Sequence, residues 1–286
     1  MAILVQFLLR LSFGLAVGMA LTSPRLVSSG YYRNHLYVTL GMATLAALLA
    51  SQFLMTVAGL AAAAAALSYI GSVCWLYEAK RAGVVLLWLV AGSSLAAAFV
   101  GERSAIQLST PPHASQLPTT VGGERWPAAP SASIDATSEK PSYADANLLL
   151  RCVSVVTSGL VLGITFAAML LGHWYLNSPG MELDPLRRLL EFMGLAVVAQ
   201  MLMSAVGLSG ELHFLGSEPH AAWWIFVLLR WSFGLVGVLA LIVMAWQTLK
   251  IPNTQSATGI LYVAVIGTFV GELMALLLSA ESVYPL

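Results

Sequence analysis

Apolar residues run through this chain in long blocks separated by short polar breaks. A helix needs about 20 apolar residues to cross a hydrocarbon layer, so blocks of this length predict membrane spans. The first block, residues 2–22, is interrupted chiefly by Arg10 and ends at Thr22-Ser23-Pro24, because proline cannot continue the hydrogen-bond ladder. Residues 24–35 read as a polar connector, with Tyr31 and Tyr32 suited to the headgroup layer. Residues 36–77 are too long for one span, so the pattern predicts two, 36–56 and 59–78, with a tight turn from Thr56 to Gly59. The alanine run Ala61 to Ala66 favours helix and close helix contact. Residues 83–101 make a fourth span.

The pattern then changes. Residues 102–146 hold six prolines among serines, threonines and mixed charges, a composition that buries too little apolar surface to offset its ordering entropy. It reads as a disordered Pro/Ser-rich loop outside the cytoplasm. Beyond it, spans are predicted at 147–174, 186–209, 223–250 and 258–280. Asp184 is set to cap the sixth, with Pro185 at its first helical position. The expected fold is therefore an all-α polytopic membrane bundle of about eight transmembrane helices. It divides into a four-helix half (1–101), the loop (102–146) and a second four-helix half (147–286).

Composition agrees. Hydrophobic residues make up 59% of the 286 and charged residues 9%, with mean hydropathy +0.84, so there is too little charge to cover a water-facing surface. The formal net charge of zero gives no electrostatic case for nucleic acid. Two cysteines, Cys74 and Cys152, lie in apolar blocks and suggest neither a disulfide scaffold nor a zinc site. Lysines and arginines set the orientation. The odd-numbered connectors carry Arg25, Arg33, Lys80, Arg81, Arg187, Arg188 and Lys250, and the even-numbered ones Arg103, Arg125 and Lys140. The odd connectors then face the cytoplasm, with both termini and the loop outside, in a bacterial-type inner membrane.

One stretch occurs twice. Leu8-Leu9-Arg10-Leu11-Ser12-Phe13-Gly14-Leu15 and Leu228-Leu229-Arg230-Trp231-Ser232-Phe233-Gly234-Leu235 differ at a single position. Each is followed by a Leu-Tyr-Val that opens the next span, at Leu36 and at Leu261, which suggests a parallel repeat of a two-helix unit. Leu149-Leu150-Arg151 is a weaker third echo. Arg10, Gly14 and Gly18 share a helix face, as do Arg230 and Gly234, so both arginines should point into the bundle. Glu272 lies roughly 21 Å along its span and near the arginine level, and is expected to pair with Arg230 or Arg10. The first unit has no acidic residue in 36–56, which leaves Arg10 without a partner of its own unit.

Ionisable residues inside a span are candidate ligand or proton-path groups. These are Arg10, Arg230 and Glu272, with His173 at the end of the fifth span and Glu191 and Gln200 as polar groups lining the same cavity. His173 beside Trp174 and Tyr175 reads first as an interfacial anchor. His173 and His213 fall at opposite ends of their spans and cannot share one iron, which argues against bound haem. Glu211, His213, Glu218 and His220, with His113, match no metal-ligand spacing and read as a wet connector. No catalytic residue or nucleotide-binding motif is present, and the chain reads more as a non-enzyme. The layout is similar to that of membrane anchor subunits of quinone-linked oxidoreductases, in topology alone. Three functions follow: a membrane subunit or anchor of a redox or respiratory-type assembly, with quinone as candidate cofactor and other membrane or peripheral subunits as partners; a small-solute or ion transporter using the Arg/Glu pair; or a purely structural scaffold in the lipid bilayer.

Overall fold

The computed structural model describes residues 1–109, 140–178, 180–214, 221–251, 253–282 and 284–286. Every described element is helical: α1 (Ala2–Leu21), α2 (Ser29–Ala50), α3 (Met55–Leu76), α4 (Lys80–Ser109), α5 (Lys140–Asn177), α6 (Asp184–Phe214), α7 (Ala221–Leu229), a π-helical segment (Arg230–Gly237), α8 (Val238–Lys250) and α9 (Thr254–Glu281). The α7, π and α8 pieces follow one another without a break. Seven helices are long and apolar enough to cross a membrane. The chain is a polytopic all-α membrane protein. Its outward side chains include Leu48, Val85, Trp88, Leu195, Leu202 and Ile266, all exposed, as a hydrocarbon solvent requires.

α2 is not among those seven, although it has 22 residues. It also starts earlier than the pattern predicts. The expected connector 24–35 gives way to helix at Ser29, and Tyr31, Tyr32 and His35 are buried rather than placed in a headgroup layer. The reason is aromatic packing. Tyr32 stacks on Trp75 of α3 with centroids 4.0 Å apart and planes 8° apart, while Tyr31 meets Tyr32, His35 and Trp174. The Tyr32 hydroxyl is satisfied by Thr22, at 2.8 Å from Oγ1 and 3.2 Å from the carbonyl, so the ring is buried without orphaning its polar end.

The turn between α2 and α3 also moves. It occupies residues 51–54, ahead of the expected Thr56–Gly59, and Met55 already begins α3. Alanine faces explain the register: Ala43, Ala46 and Ala50 of α2 sit buried with Ala58, Ala61, Ala64 and Ala65 of α3. Small side chains let the two backbones approach, and the chain reverses where that face ends.

α5 lies against α1, α4, α6 and α9. Its crossing with α1 is set by glycine. A Cβ on Gly14 would fall 1.8 Å from the Gly159 carbonyl oxygen, and one on Gly163 would fall 1.9 Å from the Gly14 carbonyl carbon. Only glycine permits this approach. The second copy of the octapeptide makes a similar contact, Gly234 of the π segment against Gly271 of α9, where a Cβ would come within 2.5 Å of backbone. The copies nevertheless differ in winding, since the first is α-helical throughout and the second is π-helical from Arg230 onward.

The helices flanking the predicted loop are longer than expected. α4 continues through Glu102 to Ser109, and α5 starts at Lys140. The remainder of the loop, with His113, lies outside the described residues. α6 likewise runs on through Glu211 and His213, so Glu211 belongs to a helix, where it is buried, and not to a wet connector. Glu218 and His220 lie outside the described residues.

Candidate functional site

Four charged side chains from four helices meet inside the bundle. Arg10 of α1 donates from Nη1 to Glu272 Oε1 of α9 at 2.9 Å and to Ser158 Oγ of α5 at 3.0 Å. Its Nη2 donates to Glu102 Oε2 of α4 at 3.3 Å. Glu102 Oε1 accepts from Arg151 Nη1 of α5 at 3.0 Å, and Arg151 Nη2 donates to the Ser282 carbonyl at 2.8 Å. The order is Arg151–Glu102–Arg10–Glu272. Side-chain exposure falls along it, from 13% and 14% for the first two to 7% and 6% for the last two. Each carboxylate therefore has a guanidinium, which buried charge requires.

The pairing of Glu272 with Arg10, one of two expected alternatives, is what the structure contains. Among the described residues, the other repeat arginine makes no ion pair with an Asp or Glu side chain. Arg230 Nη2 donates to Ser204 Oγ at 2.6 Å and Nη1 to the Leu286 main-chain oxygen. Arg10, which has no acidic partner within its own two-helix unit, takes Glu272 from α9 across the bundle and Glu102 from α4. Residues 284–286 fold back to make this environment. Leu286 N donates to Ser279 Oγ at 3.0 Å, Tyr284 N donates to Glu211 Oε2 at 3.0 Å, and Pro285 lies where a Cβ on Gly207 would be.

Beside Arg230 and Glu272 lies a narrow crevice of about 10 Å³, also lined by Gln200 and Thr268 among others. That is room for about one water molecule. The Nε atoms of Arg10 and Arg230 have no hydrogen-bond partner, and Gln200 Oε1 accepts from Thr157 Oγ1.

The remaining predicted residues lie elsewhere. His173 is exposed, with Nδ1 3.4 Å from the Tyr262 hydroxyl, and lines neither this crevice nor the larger cleft described next. Glu191 does not share a cavity with Gln200. It lines an open cleft of about 520 Å³ together with Arg25, Asp184, Arg187, Arg188 and Trp246. Nine residues of helix carry the two side chains to different depths, so one cavity cannot hold both.

Glu102 and Arg151 are the residues the sequence reading missed as members of the site. By hydropathy Glu102 falls in the loop, and Arg151 belongs only to a faint echo of the repeat. The available signal was their shared position, one on each side of the Pro/Ser-rich segment and hence at the same end of adjacent spans. Among the described residues no cluster of three or more His, Cys, Asp or Glu side chains is arranged to hold a metal ion. No family model matches the chain, and neither a curated protein nor a solved structure matches it.

Proposed function

We propose that this protein is an integral membrane subunit that contributes a rigid, internally braced bundle to a larger membrane assembly. The observation that carries this reading is the Arg151–Glu102–Arg10–Glu272 chain. It ties α1, α4, α5 and α9 together, and the space beside it admits about one water molecule. A buried ion pair fixes which helices pack together more effectively than it adds net stability. Glycine crossings at Gly14 and Gly163 add to the bracing. In this reading α2 is an eighth crossing, the odd connectors face the cytoplasm of a bacterial-type inner membrane, and both termini and the 102–146 segment lie outside. The twice-written octapeptide is taken as the trace of a parallel duplication. A redox or respiratory-type assembly is the first choice of partner, with quinone reached at the periphery of the bundle and not at Arg10 or Glu272.

The test is affinity purification from native membranes in mild detergent, with mass spectrometry of co-purifying proteins and lipids. Recovery with stoichiometric membrane or peripheral partners supports the proposal. A partner-free monomer without quinone refutes it. A second reading, proton-linked transport, is favoured by one observation: the crevice at Glu272 adjoins the π segment, and π-helical turns recur at functional sites. Proton flux in proteoliposomes that is abolished by Glu272→Gln would select that reading instead.

A further inference from the structure

The open cleft at the other polar cluster has its own chemistry. Three guanidinium groups converge on it from two parts of the chain. Arg25 comes from the connector after α1, and Arg187 and Arg188 from the first turn of α6. Arg187 is engaged, with Nη2 3.2 Å from the Leu249 carbonyl oxygen and Nη1 3.7 Å from Asp184 Oδ1. Among the described residues, the guanidiniums of Arg25 and Arg188 have no bonded partner, and both residues are exposed. Asp184 and Glu191 bring two negative charges against three positive ones, which leaves the cleft with one net positive charge. It therefore matches a singly charged anion.

Geometry narrows the anion further. A volume of about 520 Å³ lies within the range of sites that hold whole small ligands, and is far more than an inorganic ion fills. Trp246, half-buried near the end of α8, forms part of the wall, and Val243, one turn deeper on the same side of the helix, is an exposed apolar residue. A tryptophan at the end of an apolar helix marks headgroup depth. Basic side chains above, an indole at the boundary and apolar surface beyond follow the cross-section of a phospholipid. Arginine is also the side chain whose planar fork suits phosphate oxygens.

We propose that this cleft is a phosphate-binding site that holds the phosphodiester of an anionic phospholipid, with Arg25 and Arg188 as its principal donors. The experiment uses the full chain in detergent, titrated with phosphatidylglycerol, with phosphatidylcholine and, separately, with inorganic phosphate, and read by native mass spectrometry. Phosphatidylglycerol should be retained well above phosphatidylcholine. The double variant Arg25→Gln/Arg188→Gln should weaken phosphatidylglycerol binding roughly thirtyfold, on the ordinary contribution of two basic side chains near a lipid surface. Glu191→Gln, which removes an opposing charge, should tighten it by a few fold. All three side chains are exposed, so both variants should unfold at the wild-type midpoint. If inorganic phosphate alone binds and blocks the lipid, the phosphate site stands and its source is the solvent. Equal retention of the two lipids, or unchanged phosphatidylglycerol affinity in the double variant, overturns the proposal.

Discussion

Glu272→Ala removes one of the two carboxylates that hold Arg10. The Arg10 and Glu272 side chains are 7% and 6% exposed, so water cannot take the place of the missing oxygen without repacking. Breaking a buried ion pair in a soluble protein costs about 3–5 kcal/mol, because the surviving charge is left uncompensated. Two features of this site reduce that figure. Arg10 keeps Glu102 at 3.3 Å and Ser158 at 3.0 Å, so its charge stays partly compensated. The unfolded chain in a bilayer also finds polar partners, which brings measured interhelical hydrogen bonds down to about 0.6 kcal/mol on average. The expected loss lies between these limits, at about 2–3 kcal/mol. That corresponds to a roughly 30- to 150-fold shift in the unfolding equilibrium. Glu272→Gln keeps the shape and one acceptor, and should lose less. Arg10→Met should lose more than either, since Glu272 then has no ion-pair partner while Glu102 retains Arg151. The assay is equilibrium unfolding in lipid bicelles by steric trapping, with Arg10→Met, Glu272→Met and the double variant completing a cycle. A Glu272→Ala loss below about 0.5 kcal/mol, or an additive cycle, would refute the argument that the pair is a coupled, buried interaction.

Glycine substitutions should divide by contact. Gly163→Ala places a Cβ 1.9 Å from the Gly14 carbonyl carbon and should cost at least about 1–3 kcal/mol in the same assay, whereas Gly41→Ala and Gly259→Ala, with nothing within 4 Å, should be neutral or stabilising by up to about 1 kcal/mol. Gly207→Ala displaces Pro285, so amide hydrogen exchange should rise at Tyr284 and Leu286, with little change in α3. Trp75→Leu removes the stack on Tyr32 and leaves a void against α2, for a loss of about 2–4 kcal/mol, and should expose the start of α2 to proteolysis.

Much of the bundle is legible from block length, because a hydrocarbon layer fixes how many residues a span needs. The Arg10–Glu272 pair follows from the same ruler: counting 1.5 Å per residue puts both groups at similar depth. The ruler fails at span ends. Glu102 continues its helix past the point where hydropathy falls, held there by Arg10 and Arg151, and a carboxylate satisfied in this way leaves no apolar trace. The start of α2 fails for a related reason. Tyr31, Tyr32 and His35 look interfacial by type, and only the facing Trp75 and Trp174 reveal that they are buried. The cleft was out of reach altogether, because Arg25 and Arg188 are separated by more than half the chain.

The two windings of one octapeptide have a consequence for Arg230. In a π-helix each hydrogen bond spans five residues, so the turn takes up more chain than the α form does. Wound as α-helix, like its twin around Arg10, the Arg230–Gly237 segment would shift its hydrogen-bonding by a residue, and each residue of shift turns the preceding helix by about 100°. Arg230 would then swing off Ser204 and Leu286, and Trp223 would leave its packing beside Leu278. The shared Arg-x-Ser-Phe-Gly-Leu stretch occurs in both windings, so those residues do not by themselves fix the form. Gly271 and the strand of chain at 284–286 act as the detent that sets the angular position of this helix.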